Sequence, residues 1–390
     1  MISLEAARQS IHSHVGALEP VETHLAECCG GVLAEPILSD GFHPSGDRST
    51  MDGYVIRADA SPGSFHVTGE IPAGRMPDQA LETGQAMRIF TGALIPEAGG
   101  RVIMQEDVRR EGDTIHIENF QENRFIRPQG SEANPGDVVL PAGTLLGAAE
   151  IAILAQVGAI RPMLVRRPVI RHLATGDELV APGQVPRPGQ IRDTNSSLLA
   201  ALLDAQGISL TDSTRVADDP TSLTRLAEGQ WDLLLVSGGA SVGDYDFGAE
   251  ALRRLGFTIH FDRVNLRPGK PLTFGTRGKQ AAFVIPGNPV SHFVCYHVAI
   301  RLAVELMRGA PESWDFLPLE IDGGDAVKPD PRDSFHPARV FVRNGKLVVT
   351  PKRWSTSGDT FSLAGTNALA RVNANSPADD LVQTLLLNPI

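Results

Sequence analysis

Four short stretches of this 390-residue chain carry side chains able to handle a charged, oxygen-rich ligand. Ser237-Gly238-Gly239-Ala240-Ser241-Val242-Gly243 is a run of small residues leading to Asp244 and Asp246; its backbone can approach a ligand closely, and its N–H groups can turn together toward an anion. Thr175-Gly176-Asp177-Glu178-Leu179 adds carboxylates. Arg267-Pro268-Gly269-Lys270-Pro271 adds cations, with Arg263 just upstream. Pro286-Gly287-Asn288-Pro289-Val290-Ser291 leads into a helix, whose N-terminal end favours negative charge. Carboxylates such as Glu178 and Asp246 hold magnesium while leaving coordination positions for substrate phosphates, and arginine and lysine clamp oxyanions. The set suits chemistry at a phosphoryl group or an oxyanion. Taken singly, each stretch also has a plain reading: a βα turn, a turn, a solvated basic loop and a helix start.

Two further acidic stretches are ambiguous in the same way. Asp193-Thr194-Asn195-Ser196 reads first as an N-cap, since Asn and Ser favour that position. Asp218-Asp219-Pro220 reads as a helix start with proline in the first turn, and Asp218 is a second candidate magnesium ligand beside Asp246.

The elements that must position these residues alternate along the chain. Val169–Ala174 and Asp232–Val236 are apolar runs suited to strands covered on both faces, and Phe257–Phe261 and Ala281–Ile285 read as further strands. Between and after them, Ser196–Ala205, Ala249–Leu255 and Val290–Met307 have helical spacing. Strand, helix, strand, helix argues for a parallel sheet with helices on both faces, and such sheets bind ligands beyond the carboxyl ends of their strands. Upstream, Leu4, Ala7, Ile11 and Val15 mark an amphipathic helix, and residues 1–42 read as helix, short strand and second helix. Phe65–Glu70, Val102–Gln105 and Thr114–Ile117 are short β-like runs, Ala148–Val157 a helix, and Pro162 to Pro168 a linker. In the tail, Asn344-Gly345 between two β-like runs signals a hairpin with a type I′ turn.

The totals exclude several classes. A net charge of -11 gives no global attraction to nucleic acid. Three cysteines, two of them adjacent and none in CxxC spacing, favour reduced thiols in a cytoplasmic protein over disulfides or a zinc site. Val290–Met307, the longest apolar helix, carries His292, His297, Arg301 and Glu305, which disfavours a bilayer span.

Ser49-Thr50-Met51-Asp52-Gly53-Tyr54 and Arg88-Ile89-Phe90-Thr91-Gly92-Ala93 complete the pattern. With the stretches beginning at Thr175, Asp193, Ser237, Arg267 and Pro286, in this order, the chain resembles the molybdopterin molybdenumtransferases, the MoeA-type enzymes related to the gephyrin E domain, over essentially its whole length. The resemblance implies a multidomain α/β plus β fold. An N-terminal split α/β domain (1–42 and 136–167) would hold an inserted β-rich module (43–135), followed by a central parallel-sheet molybdopterin-binding α/β domain (168–310) and a C-terminal β-barrel (311–390). It implies an elongated homodimer that inserts molybdate into adenylylated molybdopterin with Mg2+ and release of AMP. Transient contact with the adenylyltransferase and with apo-molybdoenzymes would accompany that role, without nucleic acid or membrane.

Carried over by position, Asp52, Thr91, Glu178, Asp218 and Asp246 match the family's functional polar residues, with Asp246 and Asp218 toward the metal. Asn195, Ser237, Gly238, Gly239, Ser241, Gly243, Arg263, Arg267, Lys270, Pro271, Ser291, Arg339 and Ser357 match substrate or molybdate positions. Asp52 and Thr91 are expected to complete the site of the other subunit. Positions 263 and 267 carry arginine where the family pattern has lysine, and Asp359 lies close to Ser357 in the loop Ser355 to Phe361. The adenylyltransferase of the same pathway and a gephyrin-like scaffold are the alternative readings; the SVGxxD form of the glycine loop and the flanking β modules argue against the first, and the retained charged residues against the second.

Overall fold

A computed structural model describes residues 1–217, 221–222, 224, 229–239, 247–323, 330–374 and 381–387 of the chain, with the side chain of Phe247 excepted. Two compact units are present: one comprises Met1–Ala34, Gly143–Gly147 and Met163–Ile390, the other Glu35–Ala142 and Ala148–Pro162.

The larger unit is built on a six-stranded sheet. Its strand order is Leu210–Val216, Ile170–Thr175, Leu233–Ser237, Gln280–Ile285, Thr273–Arg277, Thr258–Phe261; the first four run parallel, and Thr273–Arg277 is antiparallel to both its neighbours. The apolar run at 233–236 shows why the sheet must be covered on both sides. Leu233 and Leu235 enter one core with Ala281, Phe283 and Ile285, while Leu234 and Val236 enter a second core with Ala282 and Val284. Side chains alternate across a strand, so an unbroken hydrophobic run requires helices on both faces. Leu4–His14 and Pro289–Met307 cover the first face. Phe247–Arg254 contributes Ala251 and Leu252 to the second.

The helical stretch Pro289–Met307 has the length and apolarity of a membrane span, but 89% of its apolar window is buried, as expected of a core helix. It widens to π-type geometry over Tyr296–Ile300. Arg301 Nε donates to Glu305 Oε1 at 2.8 Å one turn along it.

Strands Phe316–Ile321, Asp333–Arg343, Lys346–Pro351, Ala368–Val372 and Leu381–Leu386 close into a barrel, because Asp333–Arg343 pairs with both Lys346–Pro351 and Ala368–Val372. Asn344 and Gly345 take φ of 51° and 77°, the left-handed values that the expected hairpin turn demands. Leu266–Arg267 pairs in parallel with Asp333 and Ser334, which ties the start of the Arg267–Pro271 stretch to the barrel edge.

The smaller unit holds a six-stranded mixed sheet ordered Gly99–Met104, Gly53–Arg57, Gln85–Ile89, Gly63–Ile71, Thr114–Ile117, Arg109–Glu111, with a core on each face. Gly53 is required there, since a Cβ would lie 1.9 Å from the Ile103 carbonyl oxygen.

Two expectations are corrected. The second helix expected before residue 42 is a single 3-10 turn, Leu25–Glu27, ended where Gly30 takes a φ of 73°. The expected linker from Pro162 to Pro168 contains a strand, Met163–Val165, paired antiparallel with Pro20–Glu22. Arg166 then donates twice to Asp232 (2.7 and 2.8 Å), and Asp232 also accepts from Val169 N at 2.7 Å, anchoring the start of Ile170–Thr175 beside that of Leu233–Ser237.

Candidate functional site

A cavity of about 640 Å³ opens at the carboxyl ends of the parallel strands. Its floor is made by Thr175, Ser237, Gly238 and Gly239, at the ends of the strands Ile170–Thr175 and Leu233–Ser237. Gly238 takes a φ of 90°, and a Cβ at that position would lie 2.5 Å from Thr175 Oγ1 and 2.7 Å from Thr175 O. The turn is therefore held against its neighbour strand by the absence of a side chain.

Of the residues singled out from sequence, Glu178, Asn195, Ser237, Gly238, Gly239, Arg267, Lys270, Pro271, Ser291 and Ser357 line this cavity. Asn195 Nδ2 donates to the Gly287 carbonyl at 2.7 Å, joining the helix Asn195–Asp204 to the Pro286–Ser291 stretch. Asn288 Nδ2 donates to Ser357 Oγ (2.8 Å), and Val290 N donates to Ser357 O (3.0 Å), so the barrel's loop caps the long helix. Asp359 is turned into its own loop, where Oδ2 accepts from Ser355 N and Oγ at 3.3 and 3.4 Å, and it does not line the cavity.

Other residues lie elsewhere. Arg263 is exposed, its carbonyl accepting from Ile2 N, and Arg339 points outward from a barrel strand opposite Thr350; neither lines the cavity. Asp52 and Thr91 belong to the smaller unit, where Thr91 N and Oγ1 both donate to Asp52 Oδ1, at 2.7 and 2.8 Å. Those two bonds hold the Asp52 carboxyl below its ordinary pKa. Asp218, Ser241, Gly243 and Asp246 fall outside the described residues.

The structure adds residues that motif reading passed over. Arg332 and Trp354, both from the barrel region, line the cavity. Asp330 accepts from Arg267 Nη1 (2.5 Å) and from Arg332 Nε (3.0 Å), so one carboxylate orients two guanidiniums at the cavity rim. Burial opposes its charge, yet those bonds hold its pKa below the usual aspartate value. Asp193 also lines the cavity while accepting from Ser196 N (3.0 Å) and Ser196 Oγ (2.5 Å), so Asp193 satisfies the helix start, while the Asn195 and Ser196 from which a cap was expected stand inside the first turn.

Beneath the floor, Ser237 Oγ lies 2.7 Å from His172 Nε2, and His172 Nδ1 lies 2.9 Å from Ser213 Oγ. Burial pushes His172 down to about 4 and His292 to about 3, so both rings are neutral near neutral pH.

The arrangement therefore offers three cations (Arg267, Lys270, Arg332), two carboxylates (Glu178, Asp193) and a glycine floor around one space. Arginine forks and lysine suit an anion with several oxygens. Among the described residues no cluster of three His, Cys, Asp or Glu forms a metal cage. Magnesium needs none, because it is usually held by one or two carboxylates together with substrate phosphates and water. Glu178 supplies one such carboxylate, so the wall fits that ion.

Residues 2–158 match the family described as MoeA N-terminal region (domain I and II), residues 171–305 the probable molybdopterin binding domain, and residues 324–380 the MoeA C-terminal region (domain IV). The molybdopterin molybdenumtransferase of Nostoc sp. is 36% identical over 357 residues, which is 87% of this chain and 82% of the relative. That of Staphylococcus aureus strain Mu50 is 28% identical over 386 residues, 96% of this chain and 92% of the relative. A crystal structure of a molybdopterin biosynthesis moeA protein from Pyrococcus horikoshii OT3 aligns with a TM-score of 0.81 at 26% identity, covering 99% of this chain and 100% of that one.

Proposed function

Because the chain belongs to the molybdopterin molybdenumtransferase (MoeA) family, we propose that its cavity receives adenylylated molybdopterin and inserts molybdate into the dithiolene, releasing AMP. The observation that carries this reading is the meeting of the Ser237–Gly239 turn, Glu178 and the Arg267, Lys270 and Arg332 cations in one space at the sheet edge. Glycine backbone and a helix start suit the phosphates of the adenylate. The guanidinium pair on Asp330 suits an oxyanion such as molybdate, since two planar forks meet several oxygens at once. Glu178, with Asp246 and Asp218 from the sequence pattern, would hold Mg2+, which when bound neutralises phosphate charge and fixes the substrate's orientation.

We further propose that the active form is a cytoplasmic homodimer in which Asp52 and Thr91 complete the partner subunit's site. The two hydrogen bonds from Thr91 support this reading, because they fix an exposed, ionised carboxylate in place. Its three free cysteines accord with a reducing compartment.

Purified protein supplied with adenylylated molybdopterin, Mg2+ and molybdate should release AMP and yield cofactor that reconstitutes an apo-molybdoenzyme. Unconsumed adenylate refutes the insertase reading, and turnover of ATP with unadenylylated molybdopterin would reassign the chain to the preceding step. For the shared site, Asp52→Ala and Arg267→Ala proteins should each be inactive and regain activity when mixed and re-dimerised. No regain places both residues in one subunit's site.

A further inference from the structure

The cavity walls are mostly charged, small or proline side chains, and Trp354 is the one aromatic ring among the described lining residues. It is half-buried, so part of its surface remains open. Its orientation is fixed from two directions. The indole N–H donates to His336 Nδ1 at 3.3 Å, and the Arg267 guanidinium carbon lies 5.5 Å from the ring centroid. Arg267 is itself held by Asp330 at 2.5 Å. Burial pushes His336 down to about 4, which keeps the ring neutral and able to accept the indole proton. A tryptophan merely filling core would resemble Trp231, which is 4% exposed and stacked on Phe257 at 5.8 Å between centroids. Trp354 instead carries the Arg267 guanidinium over one face, which leaves the opposite face of a fixed ring as the surface for a stacked ligand, at low conformational cost.

We propose that Trp354 is the stacking platform for a planar heterocycle of the substrate, resting on the reading above that the cavity takes an adenylylated pterin. Adenine and pterin are both flat, hydrogen-bonding π systems, and no second aromatic ring among the described lining residues selects between them. A ring anchored here lies beside Arg267, which Asp330 ties to Arg332, so both cations are within the same contact chain.

The test titrates AMP, 6-hydroxymethylpterin and molybdate separately into the full-length protein and into its Trp354→Phe and Trp354→Leu variants, reading affinity by calorimetry and tryptophan emission. Stacking predicts that one heterocycle loses about tenfold or more in affinity in Trp354→Leu but at most about threefold in Trp354→Phe, while molybdate binding is unchanged. That heterocycle should quench emission in the parent and not in either variant. The heterocycle affected, AMP or pterin, identifies which end of the substrate the ring supports. If a heterocycle binds the parent and both variants equally, the stacking role is overturned while the insertase reading stands. If neither binds the parent, both are overturned.

Discussion

Replacing Gly238 by alanine probes the floor of the site most directly, and Gly239→Ala provides its internal control. Both glycines have positive φ, 90° and 66°, so either substitution forces an L-residue into a strained region at about 1–3 kcal/mol. They differ in what the new methyl group meets. At Gly239 the nearest atom is 3.5 Å away, an ordinary contact, whereas at Gly238 the methyl would sit 2.5 Å from Thr175 Oγ1 and 2.7 Å from Thr175 O. The hydroxyl can rotate aside, breaking its bond to Ser237 O at 3.2 Å, but the carbonyl belongs to a central strand paired on both sides. Forcing atoms into packed surroundings adds about 1–3 kcal/mol, so Gly238→Ala should be less stable than Gly239→Ala by about that amount. Urea midpoints of the two variants, measured with the same probe, give the difference, and calorimetric binding of AMP shows whether the turn has moved. Equal midpoints would mean that the strand yields freely at this point, and the close approach would then not be what shapes the cavity floor.

Arg332→Ala should raise the molybdate concentration for half-maximal rate about tenfold or more, the effect of losing one charge-assisted contact; an unchanged value would confine Arg332 to holding its loop. Asp232→Ala should destabilise the fold by about 2 kcal/mol, less than for a fully buried pair because Arg166 keeps access to water, as urea unfolding would show. Hydrogen bonds hold the Asp232 carboxyl below its ordinary value against the effect of burial, so its contribution is complete above about pH 4 and is lost as pH falls through that depressed value. His172 and His292 titrate in the fold at about 4 and about 3, so the unfolded chain takes up their protons first. Their stabilisation is full above about pH 6.5 and declines as pH falls toward the folded values. The urea midpoint should therefore drop between about pH 7 and about pH 5, and drop less in His292→Leu; an equal drop would assign the acid sensitivity to other groups.

The sheet was legible because its chemistry is repetitive. Four consecutive apolar residues at 233–236 leave no polar face, so a strand covered on both sides follows from the side-chain period alone. Leu210–Val216 was not legible for the same reason in reverse: LTDSTRV alternates half-buried and exposed along most of its length at the sheet's edge, and its Thr, Asp and Ser read as loop. Thr273–Arg277 was hidden too, since its centre is a glycine, tolerated because a Cβ would meet the Thr258 carbonyl at 2.8 Å. The motif residues of the site divide along a similar line. Glycines, prolines and charges clustered within a few positions are visible as local patterns, and ten of the candidate residues named from sequence line one cavity.

Asp330, Arg332 and Trp354 carry no local pattern. Their roles arise when Leu266–Arg267 pairs with Asp333–Ser334 and brings Arg267 against a carboxylate 63 positions away. A single acidic residue in a polar stretch signals nothing by itself, and a lone tryptophan after a strand reads as core. What distinguishes these residues is the closure of the barrel, a property of non-local strand pairing that no short window of sequence contains. The arginine at position 267 follows from the same fact. A lysine ammonium could meet Asp330 as a point charge, but a guanidinium fork can donate to that carboxylate on one side, present N–H groups to the cavity on the other, and leave its flat face toward the Trp354 ring. Arg267 is therefore held for its role by Asp330, and replacing it by lysine should weaken molybdate binding, read by calorimetry, by more than the retained charge alone would suggest.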